Sequence, residues 1–319
     1  MYIEQGYKGF SEGWRYVVGL LIIFFGWQIL GGIPLVAALL LKSDSMNLPS
    51  DYGAMANILG LNLFFLLVLL TFVAAMGSLW VVVRFLHKQS FTSFTTSRKK
   101  VDWKRILFAF GLWGIVSSVM VVLDIYLSPE NYVFNFEPMP FFVLFVISII
   151  FVPIQTSFEE YFTRGYLMQG IGIGSKTRWL PFVISSSLFG LLHIFNPEVE
   201  KLGYGILVFY IGTGFFLGIL TLMDEGLELP LGFHAANNLF TALLVTADWT
   251  AFHTNSIYKD VSDPVLGWDV LVPVFVFYPI LILIFSKKYG WKNWKERLFG
   301  KVLTKEEFVA LTDGDSDLA

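Results

Sequence analysis

Long apolar runs recur along the whole chain, and they constrain its fold more than any other feature. About eight runs are long enough to cross a hydrocarbon layer of about 30 Å, because a spanning helix needs roughly 17 to 25 mostly apolar residues. Each run is predicted to be a helix, since an unpaired backbone in lipid would leave its amide groups without partners. The sequence therefore predicts an all-α polytopic membrane protein with about eight transmembrane helices in a single bundle. The runs lie near 16–41, 56–86, 105–127, 141–171, 179–195, 203–223, 231–247 and 267–286.

The composition agrees with a lipid environment and excludes several classes of function. Hydrophobic residues make up 55% of the chain and charged residues 15%, which is more apolar surface than one soluble core encloses. A net charge of −3 argues against nucleic acid as a partner. The chain has no cysteine, so it has no structural disulfide, no thiolate metal ligand and no cysteine nucleophile. The lipid bilayer is the partner that this composition predicts.

Lysine and arginine residues predict the orientation of the bundle, because basic loops remain on the cytoplasmic side. If the N-terminus lies inside, only Lys42, Lys201 and Lys259 fall on the opposite side, and Arg84 and Arg164 fall within the runs. An odd number of helices would destroy this segregation. Both termini are therefore predicted to be cytoplasmic. The high aromatic content suits a bacterial plasma membrane, which is the expected location.

The fourth run carries a cluster of charged residues, Glu159, Glu160 and Arg164. Charges inside a span are costly, so each is a candidate functional residue. Glu160 and Arg164 are four positions apart and are predicted to pair on one helical face. Glu159, rotated by about 100° around the helix, is then the carboxylate left free for chemistry. For this motif alone, a purely structural ion pair remains the alternative.

Two further polar motifs lie on the fifth and seventh runs. Phe189 and His193 are predicted to share one face of the fifth helix, and His234 and Asn238 one face of the seventh. Either motif alone is also typical of hydrogen bonds between membrane helices. Together with the two carboxylates, they provide a general base, its partner and donors for a developing oxyanion.

The motifs E-E-x-x-x-R, F-x-x-x-H and H-x-x-x-N, in this order, resemble those of the CPBP family. This is the CAAX protease and bacteriocin-processing group, also called Abi, which includes the Ras-converting CAAX endoprotease. The resemblance implies a catalytic core at 141–250, containing the fourth to seventh helices. The first three helices would then occupy 1–140, and the last helix with a basic and acidic tail 251–319.

The resemblance implies an intramembrane endopeptidase in which Glu159, together with His193, activates a water molecule. His234 and Asn238 would stabilise the oxyanion. The implied substrate is a peptide or protein at the membrane, as in CAAX-type processing, bacteriocin or peptide processing, or bacteriocin self-immunity. The residues with supporting roles would be Glu160, Arg164 and Phe189.

The resemblance leaves the cofactor open. The family is commonly called a metalloprotease, and a divalent metal such as zinc would be held by Glu159, His193 and His234. The H-E-x-x-H pattern of many zinc proteases is missing from the sequence. A mechanism without metal fits the same residues equally well.

Two other classes of function compete with the protease. The first is a non-catalytic scaffold or regulator that binds another membrane protein and keeps the polar cluster for structure. The second is a transporter that uses Glu159 or Glu160 as a proton site, although the sequence shows no repeat symmetry. The intact motifs favour the protease.

The depth of the motif residues carries a further prediction. Glu159 and His193 lie about 12 to 15 residues from the cytoplasmic ends of their runs, roughly 18 to 22 Å deep. His234 lies only about six residues beyond Glu228. If these residues converge, the loop at 224–232 must dip into a protein-lined cavity, which is predicted to be a funnel open to the cytoplasm.

Overall fold

The structure is a computed structural model that describes residues 1–43, 48–49 and 51–314. The last five residues of the predicted tail region, 315–319, lie outside the described residues. A short 3₁₀ segment, Ile3–Lys8, precedes the first helix. In chain order the helices are α1 (Gly13–Lys42), α2 (Tyr52–Leu59), α3 (Leu61–Leu86), α4 (Phe91–Thr95), α5 (Trp103–Leu127), α6 (Pro138–Ser175), α7 (Trp179–Leu191), α8 (Pro197–Leu202), α9 (Tyr204–Asp224), α10 (Glu228–Leu244), α11 (Val270–Tyr289), α12 (Trp294–Phe299) and α13 (Lys305–Gly314).

The helical content and the length of the helices confirm an all-α polytopic membrane protein. Among the described residues, six helices are long and apolar enough to cross a membrane: α1, α3, α5, α6, α9 and α11. Helices α7 and α10 occupy the predicted runs at 179–195 and 231–247, but they have 13 and 17 residues. At 1.5 Å per residue they are only about 20 and 26 Å long. The predicted count of eight spanning helices is therefore not confirmed.

Both ends of the described chain meet on one face of the bundle, which we call the terminal face. The Tyr7 hydroxyl donates to the Leu303 carbonyl at 3.0 Å, and the Tyr7 ring lies 6.2 Å from the Phe308 ring. A buried ion pair between Glu4 and Arg178, at 2.7 Å, ties the N-terminal segment to the start of α7. That this face is cytoplasmic remains the prediction from the basic residues.

A small sheet, which hydropathy did not predict, lies on the opposite face. Its strands are β1 (Tyr132–Phe134), β2 (Val245–Thr246) and β3 (Tyr258–Asp260). The strand order is β1-β3-β2, with β1 antiparallel and β2 parallel to β3. The sheet joins the connections that follow α5 and α10, and so it holds the far ends of two helices that flank the polar motifs.

The polar motifs are brought together by two close helix packings. Helix α10 packs against both α5 and α6, and α7 packs along α9. A side chain at Gly190 would lie 2.7 Å from the backbone nitrogen of Ile211, and one at Gly214 only 2.2 Å from the Ser186 carbonyl. Small residues let membrane helices approach at this distance. The backbones of α7 and α9 are therefore nearly in contact next to the fourth-run motif.

Candidate active site

The two glutamates of the fourth-run motif lie where α6 changes its geometry. The regular part of the helix ends at Glu160, and a π-helical segment, Tyr161–Leu167, follows. Single π turns inside longer helices occur frequently at functional sites. Glu160 is fully buried, whereas the Glu159 side chain is 16% exposed. Of the two carboxylates, Glu159 is the one that a small molecule can reach.

The predicted pair between Glu160 and Arg164 is present and fully buried. Arg164 donates to Glu160 at 3.0 Å, and both side chains have zero exposure. The guanidinium also donates to the Gly214 carbonyl of α9 at 3.1 Å and lies 4.2 Å from the centre of the Phe189 ring. Arg164 therefore links three helices, α6, α7 and α9, and fixes the position of the Glu160 carboxylate.

His234 of α10 bridges the two glutamates. Its Nδ1 lies 2.8 Å from Glu160 Oε1, and its Nε2 lies 3.5 Å from Glu159 Oε2. An ionised carboxylate only accepts hydrogen bonds, so Nδ1 carries a hydrogen and donates to Glu160. The ring is almost fully buried. Its orientation is therefore set by Glu160, and Nε2 faces the more accessible carboxylate.

Gln155, which the sequence motifs missed, joins Glu159 to Asn238. Its side-chain nitrogen donates to Glu159 Oε1 at 2.6 Å, and its oxygen accepts from the Asn238 amide at 3.0 Å. The chain of hydrogen bonds continues from Asn237 to Asn238 and from the Trp113 indole to Asn237. The available signal was a neutral polar residue inside an apolar run, one turn before Glu159 and on its face.

His193 is close to this cluster, but it does not lie on a helix as predicted. Helix α7 ends at Leu191, and His193 belongs to the turn that follows. The apolar run continues past the end of the helix, so hydropathy alone placed the boundary too late. In the turn, His193 Nδ1 lies 2.7 Å from the Phe189 carbonyl. The Phe189 ring contacts both histidines, with its centre 5.0 Å from that of His193 and 5.7 Å from that of His234.

Comparison with known proteins shows which family has these motifs. A family model described as type II CAAX prenyl endopeptidase Rce1-like matches residues 138–240. An uncharacterized protein, YyaK, of Bacillus subtilis (strain 168) is 31% identical over 255 residues, which cover 79% of this chain and 82% of that protein. The chain belongs to the Rce1-like family. No solved structure matches it.

The Rce1-like assignment supports a peptidase, because this is a protease family. The matched residues include every candidate from Glu159 to Asn238, and they overlap the catalytic core expected at 141–250. The relative from Bacillus also supports a bacterial origin. The family therefore supports proteolysis as the class of reaction, and the roles of the residues depend on the geometry of the cluster.

In this Rce1-like protein, Glu160 and His234 lie at similar distances from contacts near the terminal face. The Tyr166 hydroxyl bonds His87 at 3.0 Å, just beyond the end of α3. Glu160 lies six residues before Tyr166 along α6, or about 9 Å, and His234 is equally far from the start of α10. The depth of 18 to 22 Å for Glu159 and His193 stays a prediction.

The loop before α10 is buried in protein. This burial agrees with the prediction that the loop at 224–232 dips into the bundle. Leu227 and Glu228 are fully buried, and the Leu227 amide donates to the Thr95 carbonyl at 2.8 Å. A buried apolar cluster packs around this loop, and the funnel open to the cytoplasm stays a prediction. The members of this cluster include Tyr2, Phe94, Phe158, Tyr161, Leu227 and Leu231.

A metal held by Glu159, His193 and His234 stays a prediction. Nδ1 of His193 is bonded to a carbonyl and Nδ1 of His234 to a carboxylate, so Nε2 of each ring is the nitrogen left to hold a metal. Among the residues that the structure describes, no group of three or more histidine or acidic side chains is arranged to hold a metal ion. Zinc sites require three or four such ligands converging at about 2 Å.

Proposed function

We propose that this protein is an intramembrane endopeptidase of a bacterial plasma membrane that cleaves CAAX-type, membrane-anchored peptides. One observation carries the proposal beyond family membership. Glu159 Oε2 is buried and has no hydrogen-bond partner, although it lies 3.5 Å from His234 Nε2. Leaving a buried acceptor unpaired is costly. A water molecule bound at this oxygen would satisfy it and would also be the nucleophile.

Glu159 and His193 orient and activate this water. A carbonyl only accepts, so His193 Nδ1 donates to Phe189 and leaves Nε2 of the neutral ring as an acceptor. Two acceptors engage both protons of the water and direct its lone pair at the scissile carbonyl carbon. Glu159 takes one proton as the new C–O bond forms. It then gives this proton to the leaving nitrogen as the C–N bond breaks.

His234 and Asn238 provide the donors for the oxyanion. Because Nδ1–H of His234 is bound to Glu160, the ring donates to the oxyanion when Nε2 also carries a hydrogen. Asn238 uses one amide hydrogen for Gln155 and keeps the other. Donors that are fixed before the reaction stabilise a developing charge strongly in a water-poor site.

The proposal is tested with the purified protein in lipid nanodiscs. The substrates are a farnesylated CAAX peptide, the same peptide without the lipid, and an unrelated hydrophobic peptide. We expect cleavage of the farnesylated peptide, with weaker or no cleavage of the other two. A folded protein that cleaves none of them, and whose cellular role survives loss of Glu159, would contradict the proposal and favour the scaffold.

Replacement of Asn238 by alanine tests the oxyanion donor. We expect kcat to fall by ~10²–10³-fold with little change in KM, because this donor acts mainly in the transition state. Asn62→Ala is the matched control, since Asn62 holds the Pro140 carbonyl at 2.8 Å on the opposite face. It should leave kcat unchanged. Equal losses in the two variants would show that Asn238 acts only through the fold.

Replacement of Gln155 by leucine tests the link between base and oxyanion donor. The variant removes the donor to Glu159 and the acceptor for Asn238, so both side chains gain freedom. We expect kcat to fall by roughly 10- to 100-fold, which is the cost of misplacing groups by about an ångström. Steady-state kinetics on the farnesylated peptide measures this effect. Wild-type kcat in the folded variant would mean that Gln155 does not position either group.

A further inference from the structure

The ring of His193 is not held in place by a helical backbone. A histidine inside a helix is held by its backbone, but His193 lies in a turn stabilised by bonds from its own amide to the Gly190 carbonyl, at 3.1 Å, and from the Asn196 amide to its carbonyl, at 3.0 Å. The bond from Nδ1 to Phe189 fixes one ring atom. The ring can still pivot about that atom, and pivoting would move Nε2 away from the water at Glu159.

Tyr210 of α9 supplies a surface that prevents this pivoting. Its ring lies 4.5 Å from the His193 ring, centre to centre, with only 20° between the planes. Phe189 makes a second, tilted contact with the same ring at 5.0 Å. Stacked aromatic pairs at such distances contribute favourable energy beyond simple burial. The plane of His193 is therefore fixed by a residue from a different helix.

The backbone explains why Tyr210 reaches this position. Gly190 lacks a side chain, and the backbone of Ile211 lies where one would be. Tyr210 precedes Ile211, and His193 follows Gly190 by less than one turn. The close contact of α7 and α9 therefore brings the two rings together. The Tyr210 hydroxyl also bonds the Asn196 side chain, which ties the end of the same turn to α9.

We infer that Tyr210 is a positioning residue for His193, holding the imidazole so that Nε2 meets the attacking water at Glu159. The inference rests on the proposed function, in which His193 orients that water. The aromatic ring performs this role, and the hydroxyl holds the turn. The ring should therefore matter more for turnover than the hydroxyl.

Two substitutions at Tyr210 separate the ring from the hydroxyl. In Tyr210→Leu we expect kcat for the farnesylated peptide to fall by roughly 10- to 100-fold, with KM changed by no more than about twofold. Tyr210→Phe keeps the stacked ring and should stay within about threefold of wild type. Phe215→Leu is the matched control, because Phe215 lies on the same helix and contacts Phe182 of α7, away from His193. It should leave kcat unchanged.

A spectroscopic measurement tests the position of the His193 ring independently of the proposed activity. The ring protons of His193 can be assigned by nuclear magnetic resonance, since the chain has only four histidines. Stacking on Tyr210 shifts them upfield, so Tyr210→Leu should move them downfield and Tyr210→Phe should not. Unchanged shifts, or equal loss of kcat in both variants, would overturn the inference. A wild type that cleaves no peptide but shows the shift would contradict only the proposed function.

Discussion

Glu159→Gln should lower kcat by ~10²–10⁴-fold while the protein remains folded. Glutamine has nearly the same shape, and its oxygen can still accept from Gln155. The amide that replaces Oε2 cannot take a proton from water, so the base is lost and little else changes. The KM for the farnesylated peptide should stay within about threefold, because Glu159 acts on the water rather than on the bound peptide.

The control for this variant is a glutamate of similar burial outside the site. Glu225 is 12% exposed and pairs with Arg297 at 2.6 Å on the terminal face. Glu225→Gln removes that pair at a modest cost in stability, and its kcat should match that of the wild type. Cleavage of the farnesylated peptide by both variants is measured in nanodiscs at equal amounts of folded protein. Activity of Glu159→Gln within about threefold of wild type would remove Glu159 from the role of base.

The parts of the site that sequence could predict are those set by local geometry. Glu160 and Arg164 pair because residues four apart on a helix are neighbours. The same rule places His234 and Asn238 on one face of α10. Such contacts depend only on the local backbone conformation being helical. The three motifs could therefore be read as one site before any tertiary contact was known.

The end of α7 could not be predicted in the same way. The residues from Leu191 to Phe195 are apolar except for His193, so hydropathy continues where the helix stops. Pro197 restricts only Asn196, the residue directly before it, so it does not mark Leu191 as the end of the helix. The function of His193 depends on this boundary. In the turn, its Nδ1 reaches the Phe189 carbonyl.

Gln155 and Tyr210 were missed for a different reason. Both are uncharged: Gln155 stands out only as a polar residue one turn before Glu159, and nothing in the local pattern marks Tyr210 as part of a site. They join it through contacts between elements: Gln155 reaches Asn238 on α10, and Tyr210 reaches His193 in the turn after α7. Burial of the N-terminal segment was missed for the same reason, because Glu4 pairs with Arg178, which is distant in sequence. Periodicity cannot reveal contacts of this kind.

Breaking the pair of Glu160 and Arg164 should cause the largest loss of stability. Arg164→Met leaves Glu160 fully buried without its guanidinium, and removing one partner of a buried ion pair costs about 3–5 kcal/mol. Unfolding in detergent mixtures, followed by loss of helical signal, measures this cost. The double variant Glu160→Gln with Arg164→Met should recover much of the stability, because no unpaired charge remains. It should not recover kcat, because His234 loses its carboxylate partner.

The pair of Glu4 and Arg178 provides a matched comparison, since it is also buried but lies on the terminal face. Arg178→Met should cost a similar free energy of unfolding and, in the folded fraction, keep a wild-type kcat. Glu160→Gln should lower both quantities, because the Glu160 carboxylate holds the imidazole of His234 as well as the guanidinium of Arg164. If Glu160→Gln lowers stability alone, as Arg178→Met does, the pair is only a structural clamp. In that case His234 must obtain its donor hydrogen without help from Glu160.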